Sequence, residues 1–196
     1  MQDATDGTLA AQYEAYPYPK RDPRDEAKRL VVGSPSHLRE IDHWVFGATR
    51  PRSRPLHALI AGGGTGDATL MLAQQMFRNS RPGSVTWLDR SAAALKIARE
   101  RASVRGLHDI LWEQRSLLAL PGSGLGPFDY VDCCGVLHHL PDPARDHLGA
   151  RGLDVAPADP DDVALGGQAL DDIAADKAAA AEHRRHATCR HTPISA

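Results

Sequence analysis

The chemistry in this chain starts from four glycines and one aspartate. Gly62, Gly63, Gly64 and Gly66 crowd the turn in "HALIAGGGTGDATLMLAQQ", and Asp89 follows 23 residues after Gly66. Residues without a side chain let a ligand approach the backbone closely and let the chain take φ > 0. A dinucleotide turn reads G-x-G-x-x-G. This one reads G-x-G-x-G, and Asp67 stands where the last glycine of the dinucleotide pattern would be. A carboxylate at that helix start opposes a pyrophosphate. A P-loop is excluded because no Gly-Lys-Ser/Thr follows. The turn suits a ligand that needs close backbone approach and brings no phosphate; a tight strand-to-helix turn with no ligand would use the same residues. Asp89 ends an apolar run near the ~20-residue offset at which an acid grips ribose hydroxyls beside such a turn. Its two oxygens can accept from both hydroxyls of a vicinal diol, although a helix-cap or surface-turn role would also place an aspartate there.

The elements that must position these residues follow from the pattern. "HALIA" is a short apolar run of the kind buried on both faces in a parallel sheet. "DATLMLAQQMF" sets Leu70, Ala73, Gln74 and Phe77 at helical spacing. "SVTWLD" predicts a second strand after the Pro82-Gly83 turn. "SAAALKIARERASVRG" predicts a second helix, capped by Ser91 and ended by Gly106. "DILWEQRS" and "FDYVDCCG" predict strands three and four. Strand, helix, strand, helix at this pitch implies right-handed crossovers and an α/β fold with a doubly wound parallel sheet. Ligands in such sheets sit at the carboxyl ends of the strands, where strand order reverses.

Upstream, residues 1–55 are polar and broken by Pro17, Pro19 and Pro23. "SPSHLREIDHWVFG" reads as a short helix with Ser36 as N-cap, an apolar stripe of Leu38, Ile41, Val45 and Phe46, and Gly47 as its stop. Arg50, Arg52 and Arg54 read as a solvated linker. The chain of 196 residues is 42% hydrophobic and 24% charged, with a formal net charge of −2. That balance gives no strong nucleic-acid signal. No apolar run reaches the ~20 residues needed to span a bilayer. The opening "MQDATDGTLAAQ" lacks the basic start and apolar stretch of a signal peptide. Reduced, buried thiols at Cys133 and Cys134 and a cytoplasmic location are therefore expected.

"ALIAGGGTGDAT", "VTWLDRS", "WEQRSLLALP" and "FDYVDCCGVLHHLPDP", in this order and spacing, resemble the first four motifs of class I S-adenosylmethionine-dependent methyltransferases. The resemblance covers about Leu56 to Pro143. "YEAYPYPKRDP" is also similar to the leading segment of some bacterial members. The resemblance implies a Rossmann-like half-sheet of four strands with S-adenosylmethionine as cofactor. It assigns Gly62, Gly64 and Gly66 to the turn around the methionine part, Asp89 to the ribose, Ser116 and Leu117 to the adenine, and Cys133 to the reaction face. It implies methyl transfer to a small-molecule or protein acceptor. A general base is needed only where that acceptor is protonated; His139 and Tyr18 could then serve, and the catalytic residue stays open. Two departures stand out. Many members carry an acid two residues before the first glycine, where this chain has Ile60, and Ser116 replaces an acid often found after strand three.

Three units are expected: a polar lid segment at 1–55, the cofactor-binding core at 56–143, and a tail at 144–196 that departs from the family. Tyr13, Tyr16 and Tyr18 are expected over the cofactor mouth. The strands that should follow Pro143 are missing from the pattern. The tail lacks Phe, Trp and Tyr, suits a loose helix or disorder, and has the composition of a GC-rich gene read out of frame. Two His/Cys groups invite zinc: Cys133, Cys134, His138 and His139, and then His183, His186, Cys189 and His191. Neither is expected to bind metal, since the first thiols fall on a buried strand and the second group lies on a polar terminal segment. A non-catalytic remnant that binds cofactor weakly and a nicotinamide-dependent oxidoreductase remain as alternatives.

Overall fold

The computed structural model describes residues 11–33 and 35–136; expectations for residues 137–196, including His138, His139, the second His/Cys group and the tail, lie outside them. Four parallel strands form the sheet: β1 (Leu56–Ala61), β2 (Gly83–Asp89), β3 (Ile110–Gln114) and β4 (Tyr130–Asp132), in the order β3-β2-β1-β4. The chain moves outward from β1 to β3, then returns to place β4 on the other side of β1. That reversal is the switch point where open α/β sheets bind ligands. Register puts Ala61 beside Leu88, so Asp89 stands just past the end of β1, and it puts Ile60 beside Asp132.

Burial explains the wholly apolar strands. Leu56, Ala58 and Ile60 pack on one face with Leu72, Met76, Leu38 and Ile41. Leu59 and Ala61 pack on the other with Leu88, Leu117 and Phe128. Helix α1 (Asp67–Arg78) and helix α2 (Ala92–Val104) meet β2 and β3 around Leu70, Trp87, Ala98 and Ile110. Ser91 caps α2 by accepting from the Ala94 N–H at 3.0 Å, and Gly106 follows in the left-handed region that a helix end favours.

Four expectations need correction. Cys134 is exposed rather than buried, because it stands in the turn that follows β4. Phe77 is 70% exposed, because the buried surface of α1 runs instead through Leu70, Met71, Leu72 and Met76. Ser36 is not a helix cap. His37 takes that place, its Nδ1 accepting from the Arg39 N–H, and the helical turn Leu38–Glu40 then loosens into a π-turn at Ile41–Val45. Arg50 is not a solvated linker residue: its guanidinium donates to the Pro55 carbonyl and the Asp129 carboxylate, both at 2.7 Å, and lies over the Phe46 ring.

Candidate functional site

One cavity of about 450 Å³ opens at the carboxyl ends of β1, β2 and β4. That volume falls in the range of small-ligand sites. Gly62, Gly63 and Gly64 line it on the β1 side, Asp89 on the β2 side, Ser116 and Leu117 beyond β3, and Asp132 with Cys134 and Val136 on the β4 side. Five of the seven residues singled out above thus meet at one cavity: Gly62, Gly64, Asp89, Ser116 and Leu117.

The other two stand elsewhere. Gly66 is the N-cap of α1, with φ +101, where a Cβ would press on Leu70 and Ala98. Cys133 points into the apolar cluster around Leu59 and Leu88, and burial pushes its thiol up to about 11. Alternation along β4 explains this, since successive residues face opposite sides of a sheet. Val131 and Cys133 share the apolar cluster, and Asp132 between them reaches the cavity.

The glycine turn accommodates the protein's own atoms. A Cβ on Gly62 would meet Val136 at 2.1 Å, one on Gly63 the Trp87 ring at 2.2 Å, and one on Gly64 the Tyr18 carbonyl oxygen at 2.6 Å. Gly62 and Gly64 also hold φ of +69 and +48, a region that side chains disfavour. The Trp87 indole donates from Nε1 to the Gly64 carbonyl at 3.0 Å, and the Gly64 N–H donates to Asp89 Oδ2 at 2.9 Å. Asp89 Oδ1 accepts from the Ser91 N–H at 3.0 Å. Two of the roughly four acceptor directions of that carboxylate are used, which leaves capacity for a ligand diol.

A strap made of residues 11–33 crosses this turn. Glu14 accepts from Ser91 Oγ at 2.8 Å and from the Ala93 N–H at 3.0 Å. The Pro19 carbonyl accepts from Thr65 Oγ1 at 2.7 Å. Tyr13 and Tyr18 line the cavity, whereas Tyr16 does not and is 76% exposed. Arg21 and Arg101 both pair with Asp67, with closest contacts of 2.5 and 2.7 Å. Burial opposes ionisation of Asp67, but the bonds from these two guanidiniums outweigh it and hold its carboxyl below the ordinary 3.8. The repulsion that Asp67 was expected to exert on a phosphate is thereby neutralised. Arg101 is fully buried and also bonds Glu26 and the Thr65 carbonyl, while Arg105 grips the other oxygen of Glu26.

Two features of the site escaped the sequence reading. Asp132 is one; the other is the ion network of Arg21, Glu26, Asp67, Arg101 and Arg105. Asp132 meets Ser36 from 96 residues away, and the ion pairs of the network join residues 34 to 79 apart, beyond the reach of any local pattern.

Residues 59–153 match the model of a methyltransferase domain family. The chain is 32% identical over 157 residues to an uncharacterized protein of Synechococcus sp., covering 80% of this chain and 36% of that protein. It is 33% identical over 101 residues to a ubiquinone biosynthesis O-methyltransferase of Paracidovorax citrulli, covering 52% of this chain and 39% of the relative. The chain therefore spans well under half the length of these two relatives. An S-adenosylmethionine-dependent methyltransferase structure from Aquifex aeolicus is 17% identical, covers 70% of this chain and 69% of that one, and superposes with a TM-score of 0.43.

The segment that builds most of the cavity is thus similar to a methyltransferase domain, in keeping with the motif resemblance to class I S-adenosylmethionine-dependent methyltransferases. The cofactor of that class is S-adenosylmethionine. The residues present fit such a group: an acceptor carboxylate at Asp89, apolar walls at Leu117 and Val136, and the backbone of residues 62–64 on the cavity wall. No helix among the described residues is long and apolar enough to cross a membrane.

Proposed function

We propose that this chain transfers a methyl group from S-adenosylmethionine to a nucleophilic acceptor, a small molecule or a protein side chain. One observation carries the reading: Asp89 and the glycine turn, hydrogen-bonded to each other, share one wall of a ligand-sized cavity at the sheet's switch point. When bound, the cofactor supplies a methyl group already activated on a sulfonium. The chain's own residues then have to orient the reactants and exclude water, and positioning can supply much of the rate. Asp89 holds the ribose hydroxyls. Ser116 and Leu117 flank the adenine; the Ser116 hydroxyl accepts from the Leu118 N–H at 3.3 Å and keeps its proton to donate. Tyr13 and Tyr18 cover the mouth from the strap. Tyr18 is 72% exposed and stands at the cavity rim, where it could act as base only toward an acceptor held at that rim.

Titration calorimetry tests the reading. S-adenosylmethionine and S-adenosylhomocysteine should bind, and NAD should not. Binding of NAD alone would move the chain to the oxidoreductase reading. A folded chain that binds none of the three would refute the proposal.

A further inference from the structure

The β4 side of the cavity holds a charge that the function above leaves unused. Asp132 is 5% exposed. Its Oδ2 accepts from the Ser36 hydroxyl and its Oδ1 from the Cys134 N–H at 2.9 Å. Ser36 is fully buried, and the Tyr130 hydroxyl lies 3.4 Å from its Oγ. All of these donors are neutral, and among the described residues no cation pairs with Asp132. The contrast with the strap side is plain, since Asp67 in the same cavity is matched by two arginines. A buried carboxylate that meets only neutral donors is costly unless a cation reaches it.

Register adds a second, independent observation. Asp132 pairs laterally with Ile60. Ile60 lies two residues before Gly62, the first residue of the glycine turn, and β1 itself carries no acid. The carboxylate stands at the same height of the sheet, one strand over, and lines the same cavity.

We infer that Asp132, positioned by Ser36, binds the ammonium of the cofactor's amino-acid portion, and that β4 here supplies the negative charge that β1 lacks. The inference rests on the cofactor reading above. The ligand class that follows is specific: an adenosine thioether carrying a free amino acid, favoured over the same nucleoside without one.

The test uses two probes, S-adenosylhomocysteine and methylthioadenosine, which share the nucleoside and differ in the amino acid. Calorimetry on the full chain should show that Asp132→Asn weakens S-adenosylhomocysteine by about tenfold or more, with methylthioadenosine changed less than about twofold. Ser36→Ala should shift affinity the same way by a smaller factor. Unchanged binding of methylthioadenosine also shows that the variant is folded. Equal weakening of both probes would make Asp132 a structural residue, and unchanged S-adenosylhomocysteine binding would leave it without a ligand role; either result overturns the inference. A wild-type chain that binds neither probe refutes the cofactor reading itself, which separates the two failures.

Discussion

The two walls of the cavity are built by opposite means. The sheet behind the cavity is held by apolar packing: Leu56, Ala58, Leu59, Ile60 and Ala61 of β1 are each at most 3% exposed, and of these Ile60 and Ala61 line the cavity. The strap wall is ionic: Glu14, Arg21 and Glu26 reach across to Ser91, Asp67, Arg101 and Arg105. Apolar packing is non-directional and tolerates small shifts. A buried ion network is geometry-dependent, and losing one member strands the rest. The sheet therefore sets where the ligand lies, and the strap sets whether the mouth is covered.

The largest expected effect comes from the ionic wall. Arg101→Met should cost about 3–5 kcal/mol, because it leaves Glu26 and Asp67 short of a buried partner. Leu59→Ala should cost about 2–5 kcal/mol by creating a cavity. Their local signatures should differ. Hydrogen exchange at the Thr65 amide, which faces the Tyr18 carbonyl, should accelerate sharply in the arginine variant. In the leucine variant it should follow only the global change. If both variants loosen Thr65 equally relative to their overall stability, the division into two walls fails.

Ligand affinity comes next. Asp89→Ala should lose about 1.5–3 kcal/mol of S-adenosylhomocysteine binding, the worth of hydrogen bonds to a charged acceptor. Calorimetry on a folded variant showing unchanged affinity would remove Asp89 from the site. Gly64→Val tests the junction of the walls. A Cβ there meets the Tyr18 carbonyl at 2.6 Å and φ is +48, so the variant should lose ligand binding and lift the strap together. Limited proteolysis of residues 11–33 reads out the second effect, and an unchanged digestion rate alongside lost binding would separate the two.

A smaller effect is expected from pH. The carboxyl of Asp67 titrates below its ordinary 3.8 in the folded chain. A lowered folded value stabilises the native state above the unfolded value, and that stabilisation fades as pH falls through the folded value. The strap should hold unchanged from neutrality down to about pH 4 and loosen below it. Asp67→Asn should flatten the acid limb of strap protection measured by hydrogen exchange, and an identical acid limb in the variant would count against the pairing.

The apolar elements and the polar residues set by local spacing were legible in the sequence, and the long-range polar pairs were not. β1 and β2 announce themselves as continuous apolar runs between glycine or proline turns, and Ser91 and Gly106 bracket α2 by local rules. The turn and Asp89 were legible from spacing alone. Asp132 was not, because an acid in "FDYVDCC" reads as one more polar residue until the register sets it beside Ile60. Arg50 looked solvated for the same reason. Its partner Asp129 lies 79 residues away, and nothing in "TRPRSRP" reveals it.

The smallest effect tests where helical periodicity misled. Spacing from Leu70 through Ala73 and Gln74 points to Phe77 as the next buried position. The structure buries Met76 instead and leaves Phe77 70% exposed. Two things turn the helix surface away from Phe77. Gln75 accepts from the Leu38 N–H at 2.7 Å, which brings the segment around Leu38 and Ile41 against α1. The residue also lies in the last turn, next to Arg78, Asn79 and Ser80, all exposed. Phe77→Ser should therefore change stability by no more than about 0.5 kcal/mol, whereas Met76→Ala should cost about 2–5 kcal/mol. Urea denaturation of both variants gives the answer, and a cost at Phe77 equal to that at Met76 would show that the apolar wall extends past the end of α1.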